Sequence, residues 1–187
     1  MKIYRIRGSN DFQIPQMDTP VYIPGVRDFD CVRKADTWSP PPFYIPNPKL
    51  IRSDFFPVGT SGFGCFDTIF GDTTMYTFFE MAGEILPIMI EGRKGCVLNV
   101  LNCCNALNPD ACDWSIDHRT NERIRIKQYA FHKHRLPHVG LFKIPETSRS
   151  EVLVSTDARH YEGDDFYLWY QKKGYKGLKF VELWSDE

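Results

Sequence analysis

The fold of this chain is decided by the stretch Gly174-Tyr175-Lys176-Gly177-Leu178-Lys179-Phe180-Val181-Glu182-Leu183-Trp184. Apolar residues dominate its second half, and side chains two apart point to the same face of a strand. The glycines at 174 and 177 supply a turn with positive φ that ends a preceding helix and begins the strand. We therefore predict a closing strand tied into the fold, and we expect its removal to be costly to stability.

Length and composition are typical of a globular protein. The chain has 187 residues, of which 42% are hydrophobic, 25% charged and 14% aromatic, and a chain of this size can bury a core without cross-links. We predict one domain over residues 1–187 and leave open a division into a proline-rich lobe at 1–70 and a lobe at 71–187. The net charge of −1 gives no overall attraction to nucleic acid or to an anionic membrane.

Nothing in the sequence predicts export or membrane insertion. No apolar run approaches the roughly 18 residues that span a bilayer, and residues 1–7 alternate apolar and charged side chains as a half-buried strand does. We therefore expect a cytoplasmic protein with no membrane partner. The six cysteines, at 31, 65, 96, 103, 104 and 112, are then expected to be reduced thiols, several of them buried.

Local patterns predict an α+β fold. Most of the thirteen prolines lie between residues 10 and 57, which favours short edge strands and ordered loops there. Residues 72–83 have the pattern of a short helix, with Asp72 or Thr73 as N-cap, Gly83 as C′ residue and one apolar face. That face is formed by Met75, Phe78, Phe79 and Ala82.

The rest of the chain favours strands. Residues 84–90 and 96–101 resemble a hairpin with a turn at 91–95, and Pro87 indicates an edge or a bulge. A helical turn with a loop is predicted at 102–112, further strands at 123–131, 139–144 and 151–155, and a helix at 163–173. The predicted fold class is α+β, a mainly antiparallel sheet with two or three short helices and a proline-rich N-terminal segment.

No nucleophile elbow, phosphate loop, dinucleotide fingerprint or zincin motif is present. His132, His134 and His138 could hold a metal, but the cationic residues between them favour a solvated turn. Cys103 and Cys104, with Cys112 and His118, lack the paired spacing of a zinc site, so half-buried thiols are favoured. We assign no catalytic residue, no metal site and no cofactor.

Two groups of residues are candidates for partner binding. Arg123, Arg125 and Lys127 alternate with Ile124 and Ile126, so one face of this strand would be cationic and the other buried. That face would suit an acidic surface or phosphate groups, or it would simply be solvated.

Trp38 and Tyr44 lie in the proline-rich part. They would form a recognition loop or clamp that loop to the core. The partner-binding prediction therefore comprises Trp38, Tyr44, Arg123, Arg125 and Lys127.

Several segments in order resemble a known family. They are Asp54-Phe55, residues 83–87, 96–100, 106–108, 126–131 and 141–145, and the closing pattern from Gly174 to Trp184. Between about residues 54 and 184 the chain resembles immunity family eleven of the bacterial polymorphic toxin systems, first catalogued as a domain of unknown function. The matching residues are structural in character, so the family supplies no interface residues.

The resemblance implies a cytoplasmic protein that binds and neutralises a cognate toxin, with no catalysis and no cofactor. Fold-level likeness of this kind does not locate a site. Two alternatives stay open, a small thiol- or metal-dependent hydrolase and a nucleic-acid-binding module that uses residues 123–127. Homo-oligomerisation is also left open.

Overall fold

The computed structural model describes residues 1–18, 29–40, 42–59, 61–138 and 140–186. Within these residues the chain forms twelve strands and two α-helices. The strands are β1 (Lys2–Gly8), β2 (Gln16–Met17), β3 (Phe43–Tyr44), β4 (Phe55–Val58), β5 (Gly62–Phe66), β6 (Gly83–Ile90), β7 (Arg93–Val100), β8 (Asp113–Ile116), β9 (Arg123–Gln128), β10 (Gly140–Phe142), β11 (Leu153–Thr156) and β12 (Leu178–Ser185). The helices are α1 (Thr73–Ala82) and α2 (Phe166–Lys173).

The strands form three sheets. One has the order β10-β11-β1-β12, a second, barrel-like and nearly closed, has the order β2-β3-β6-β7-β5-β4, and β8 pairs with β9. Within the described residues the paired strands run antiparallel, except that β3 runs parallel to β6. The predicted α+β class with a mainly antiparallel sheet and two helices is confirmed. In the proline-rich part, β2 and β3 have two residues each, while residues 19–28 and Pro41 lie outside the described residues.

The closing strand pairs with β1 along its length, from Gly8↔Leu178 to Lys2↔Ser185. The register shifts between Ile3 and Tyr4, whose partners are Trp184 and Glu182. This bulge leaves Leu183 unpaired with β1, and it allows Leu183 and Trp184, though adjacent, to pack against the same core. The turn before β12 has the predicted positive φ, 65° at Gly174 and 110° at Gly177.

Helix α1 forms where the pattern predicts it. The Asp72 side chain caps it by accepting a hydrogen bond of 3.1 Å from the Met75 amide, and its four apolar-face residues are all buried. The interpretation of Gly83 as a left-handed C-cap is wrong, because its φ of 170° is extended and Gly83 already begins β6. Glycine is needed there because a Cβ would lie 2.0 Å from the Asn99 carbonyl oxygen.

Helix α2 is capped by Asp165, a residue that is itself fully buried. Its carboxylate accepts hydrogen bonds from the Leu168 amide at 3.1 Å, the Thr156 hydroxyl at 2.7 Å and the Asp157 amide at 3.1 Å. Because these donors belong to α2 and to the end of β11, one carboxylate joins the helix to the four-stranded sheet.

Three hydrophobic clusters fill the fold. The first lies where α1 and α2 pack on both large sheets, the second lies between the four-stranded sheet and the β8–β9 pair, and the third lies on the inner face of the six-stranded sheet. The third cluster contains Leu86, Ile88 and Ile90 of β6. The opposite face of β6 therefore points out of the barrel-like sheet, toward α1.

Some local predictions are wrong. Glu91 and Gly92, with φ of 48° and 80°, form the β6–β7 turn by themselves, so β7 begins at Arg93 rather than at residue 96. The helical turn predicted within residues 102–112 is limited to 109–111, where the Ala111 amide donates to the Asn108 carbonyl at 3.2 Å, because bridges at Cys103 and Leu107 hold the earlier residues extended. Val139 lies outside the described residues.

The alternation predicted for β9 holds only in part. Ile126 is buried, but Ile124 is 63% exposed. This strand belongs to a two-stranded sheet, and the second cluster covers Ile126 alone. The face predicted to be buried is therefore half open to solvent.

Candidate partner-binding cleft

The five predicted binding residues fall in two separate regions. Trp38 and Tyr44 belong to the region of the six-stranded sheet, whereas Arg123, Arg125 and Lys127 lie on β9 in the two-stranded sheet. These regions enclose different hydrophobic clusters. The structure therefore does not bring the five residues into one site.

Trp38 connects the proline-rich segment to the edge of β6. Its indole Nε1–H donates a hydrogen bond of 2.8 Å to the Pro87 carbonyl oxygen. Its ring packs on Phe29 with a centroid distance of 6.1 Å. Because Pro87 has no N–H and its carbonyl is already bonded, β6 offers no backbone group at this position to an incoming strand.

Glu84 holds the same segment further along β6. Its carboxylate accepts hydrogen bonds from the Lys34 amide at 2.9 Å, the Ala35 amide at 3.4 Å and the Asn99 side-chain amide at 2.9 Å. Burial raises the pKa of Glu84, but these hydrogen bonds outweigh it and the pKa lies below its ordinary value. An ionised Glu84 therefore fixes residues 34–38 beside β6.

A wide apolar cleft opens beside Trp38. Its volume is about 1000 Å³. Its floor is formed by the outward face of β6 together with Lys94, Gly95 and Cys96 of β7. Phe70 and Tyr76 line the cleft from the side of α1, and Pro40 and Pro42 line it from the proline-rich segment. A cleft of this size can receive a drug-sized ligand or bulky side chains of a protein partner.

The apolar floor follows from the sequence of β6. Ile85, Pro87 and Met89 have the outward parity, so this strand is apolar on both faces. Ile85 packs against the first cluster beneath α1, but Met89, near the other end, is 46% exposed. An exposed apolar face of this kind marks an interaction site more often than a single exposed side chain does.

Lys94 is the charged residue of the cleft lining. It is exposed and pairs in register with Met89, at the mouth of the cleft. In the described part of the chain no ion pair is recorded for its ammonium group, whereas the adjacent Arg93 pairs with Asp67 at 2.9 Å. An apolar cleft with one available cation favours an occupant that combines apolar groups with a carboxylate.

Tyr44 lies outside this cleft. Its hydroxyl is 3.4 Å from the Gln16 Oε1 atom, and it lines a smaller cavity of about 370 Å³ with residues 14–17 and 57–59. Trp38 and Tyr44 therefore serve neighbouring surfaces rather than one recognition loop.

The cations of β9 lie beside acidic residues. The Arg123 guanidinium is 3.7 Å from Asp110 and lies over the Trp114 ring at 5.2 Å. Arg125 and Lys127 are exposed, while Asp113 on the paired strand and Glu122 just before β9 add negative charge. The cationic face expected from the sequence is thus partly offset by its surroundings.

The candidate metal and thiol residues do not converge. The rings of His132 and His134 are 5.8 Å apart, and His138 stacks on His160 at 4.6 Å. Across the ranges that the structure describes, no three His, Cys, Asp or Glu side chains are grouped as metal ligands. All six cysteines are free thiols.

The cleft was not predicted, although the sequence contains one signal for it. A strand that is apolar at every position from Ile85 to Ile90 must expose one apolar face unless both faces are covered. Its walls come from distant segments, which no local pattern connects.

Among the described residues, neither α1 nor α2 combines the length and the apolar composition that a membrane-spanning helix needs. No protein-family model matches the chain, and no curated protein matches it. The resemblance to immunity family eleven stays a prediction, and the function that it implies is a proposal.

Proposed function

We propose that this protein binds and neutralises a cognate bacterial toxin by stoichiometric association, as an immunity protein does. The ordered series of motifs between residues 54 and 184 supports this, as does the apolar cleft beside Trp38. The observation that carries the proposal is the open apolar face of β6, with Lys94 at its mouth. The proposal assigns the protein no catalytic activity and no cofactor.

The cleft suits side-chain recognition rather than strand addition. The Trp38 indole already donates a hydrogen bond to the Pro87 carbonyl at the edge of β6. A partner strand would therefore gain little by pairing its backbone there. A tight complex of standard size buries about 1,600 Å² in total, with a few apolar or aromatic anchors in pockets. We expect the partner to insert apolar side chains between Phe70 and Pro40 and to place a carboxylate near Lys94.

The function is tested with the product of the neighbouring gene. We expect the two proteins to co-purify in equal amounts, and we expect expression of this chain to rescue cells from that product. A neighbouring product that is neither toxic nor bound would refute the proposal.

The role of the cleft is tested with matched variants. Met89→Glu places a charge on the open floor, and Met81→Glu changes a methionine that is 69% exposed on α1 outside the cleft lining. A central interface residue contributes about 2 kcal/mol, so Met89→Glu should weaken binding about thirtyfold. Met81→Glu should change it less than about threefold.

Lys94→Glu tests the expected carboxylate. It should also weaken binding, mainly by slowing association, and the loss should shrink at high salt. If Met89→Glu and Lys94→Glu bind the partner as tightly as wild type does, the interface lies elsewhere on the protein.

A further inference from the structure

Cys31 and Cys103 lie side by side although the chain separates them widely. The two thiols are near enough to interact electrostatically, and both interact with the Lys143 ammonium group. Cys31 is half-buried and Cys103 is exposed. The backbone of Cys31 is left-handed, with a φ of 67°, a conformation that is uncommon for residues other than glycine.

Two buried side chains hold the Cys31 segment in place. The Lys143 ammonium donates to the Phe29 carbonyl, and the Asn99 side-chain amide donates to the Val32 carbonyl at 2.8 Å. Cys31 is therefore held on both sides.

Lys143 also holds the second cysteine. Its amide donates to the Asn102 carbonyl at 2.9 Å, and its carbonyl accepts from the Cys104 amide at 2.8 Å. Cys103 lies between these two bonds, in a parallel bridge with Lys143. One buried lysine thus holds the backbone segments that carry both cysteines.

We propose that Cys31 and Cys103 form an oxidisable dithiol, a modification site that closes to a disulfide on reaction with a low-molecular-weight disulfide such as oxidised glutathione. This site does not depend on the proposed function. It would tie residues 29–32 to residues 102–104, and so hold the segment that leads to Trp38 and the cleft wall.

The reaction proceeds by two exchanges. The exposed Cys103 thiolate attacks oxidised glutathione, forms a mixed disulfide and releases one glutathione thiolate. Cys31 then loses its proton to solvent, and its sulfur attacks the Cys103 sulfur and releases the second glutathione. The protein dithiol is oxidised by two electrons, and one glutathione disulfide is reduced to two thiols.

The pair Cys65–Cys96 provides an internal comparison. Its sulfurs are 3.3 Å apart on paired strands, but both residues are buried in the first cluster. Cys65 has no exposed surface and Cys96 is only 2% exposed at the floor of the cleft, so a dissolved disulfide reaches the exposed Cys103 far more readily than these sulfurs. Proximity and access together therefore select Cys31–Cys103.

The experiment treats the folded, reduced chain with oxidised glutathione, alkylates the remaining thiols and maps the peptides by mass. We expect one linked peptide pair, Cys31 with Cys103, with the loss of two hydrogen atoms. Cys31→Ser should instead leave a glutathione adduct on Cys103, because no resolving thiol is present. Cys104→Ser should still form the linked pair.

Two results would overturn the proposal. One is a wild-type protein that carries only a glutathione adduct at Cys103, and the other is a link from Cys103 to any other cysteine. A second readout is thermal unfolding, in which oxidised wild type should melt at a higher temperature than reduced wild type and Cys31→Ser should show no such rise.

Discussion

The Tyr175 hydroxyl donates a hydrogen bond of 2.6 Å to the Asp72 carboxylate, and this bond joins the start of α1 to the turn that follows α2. The Trp169 indole Nε1–H donates to the same carboxylate at 2.9 Å. Asp72 thus caps one helix and receives two aromatic donors from the other helical segment. The two helices are held together at this point by a single side chain.

Replacing Asp72 should therefore cost more than an ordinary helix cap. Asp72→Ala removes the bond to the Met75 amide and both aromatic bonds, and at about 1 kcal/mol for each we expect a loss of about 3 kcal/mol in the free energy of unfolding. Chemical denaturation measures it. Thr73→Ala, at the exposed first position of α1, is the control and should cost under about 0.5 kcal/mol. A loss below 1 kcal/mol for Asp72→Ala would contradict the role of Asp72.

Because Asp72 stabilises the fold only when it is ionised, we predict that the protein loses stability in acid. Burial raises the pKa of Asp72, but the bonds from Tyr175, Met75 and Trp169 outweigh it and hold the pKa below its ordinary value. The stabilisation from Asp72 is therefore complete above the unfolded pKa of about 4 and is lost as the pH falls through the lower folded value. Chemical denaturation between pH 6 and about 2.5 should show that the free energy of unfolding falls more steeply with decreasing pH for wild type than for Asp72→Asn. If the two proteins lose stability in parallel over this range, the prediction is refuted.

Gly177 is required by close approach as well as by its backbone angle. A Cβ at Gly177 would lie 1.8 Å from the Phe55 carbonyl oxygen, whereas a Cβ at Gly174 would meet nothing within 4 Å, and both residues have positive φ. Gly174→Ala should cost about 1 kcal/mol from backbone strain alone. Gly177→Ala should cost at least about 3 kcal/mol, because the closing strand must also shift. If both variants lose the same free energy of unfolding in urea, the structure relieves the clash with the Phe55 carbonyl oxygen at no energetic cost.

Local features of this fold could be predicted from the sequence, and distant ones could not. The apolar face of α1 and the strand after Gly177 follow from residue spacing and turn chemistry, which act within a few residues. The bulge that places Leu183 and Trp184 on one core depends on pairing with β1, so strict alternation could not show it.

The site was harder to predict for the same reason. Lys143 lies in an apolar run that predicts a strand, but its burial depends on the Phe29 and Ser61 carbonyls, which come from other parts of the chain. The cleft likewise needs Pro40 and Phe70 to approach β6. Trp38 and Tyr44 were predicted to belong to one loop that either recognises a partner or clamps to the core, and only the fold shows that they lie on different surfaces.

Because Lys143 is buried, we predict that the free energy of unfolding rises at alkaline pH. It is fully buried, and burial lowers its pKa from 10.5 to about 8, although the nearby Cys31, Asp30 and Cys103 favour its charge. Between pH 8 and about 10.5 the unfolded chain binds a proton that the folded protein has lost, so the free energy of unfolding rises with pH. Wild type should gain up to about 3 kcal/mol relative to Lys143→Met over that range.

Because the Cys31 thiol also titrates at alkaline pH, the effect of Lys143 must be measured in proteins that lack this thiol. Burial, together with the Cys103 neighbour, raises the pKa of Cys31 to about 11, which has the opposite effect on stability as the pH rises. The comparison is therefore made between Cys31→Ser and the double variant Cys31→Ser, Lys143→Met. If the difference in the free energy of unfolding between these two variants does not change from pH 7 to 10, the lowered pKa of Lys143 is contradicted.

Trp38→Phe tests whether Trp38 anchors the proline-rich segment to β6. Phenylalanine keeps an aromatic ring against Phe29 but loses the bond to the Pro87 carbonyl, so we expect a loss of about 1 kcal/mol in urea unfolding with an unchanged slope. Freeing the Pro87 carbonyl also removes one protection of the β6 edge. Sedimentation at high concentration should therefore detect more self-association than in wild type.

Tyr44→Phe is the control for this experiment. It removes a hydroxyl on the exposed β3, whose bond to Gln16 is long at 3.4 Å, and it should cost less than about 0.5 kcal/mol without changing association. If Tyr44→Phe costs as much as Trp38→Phe, the indole bond is not what holds the segment. If Trp38→Phe is as stable as wild type but binds the partner weakly, Trp38 contacts the partner directly, and the wall of the cleft is held by Glu84 alone.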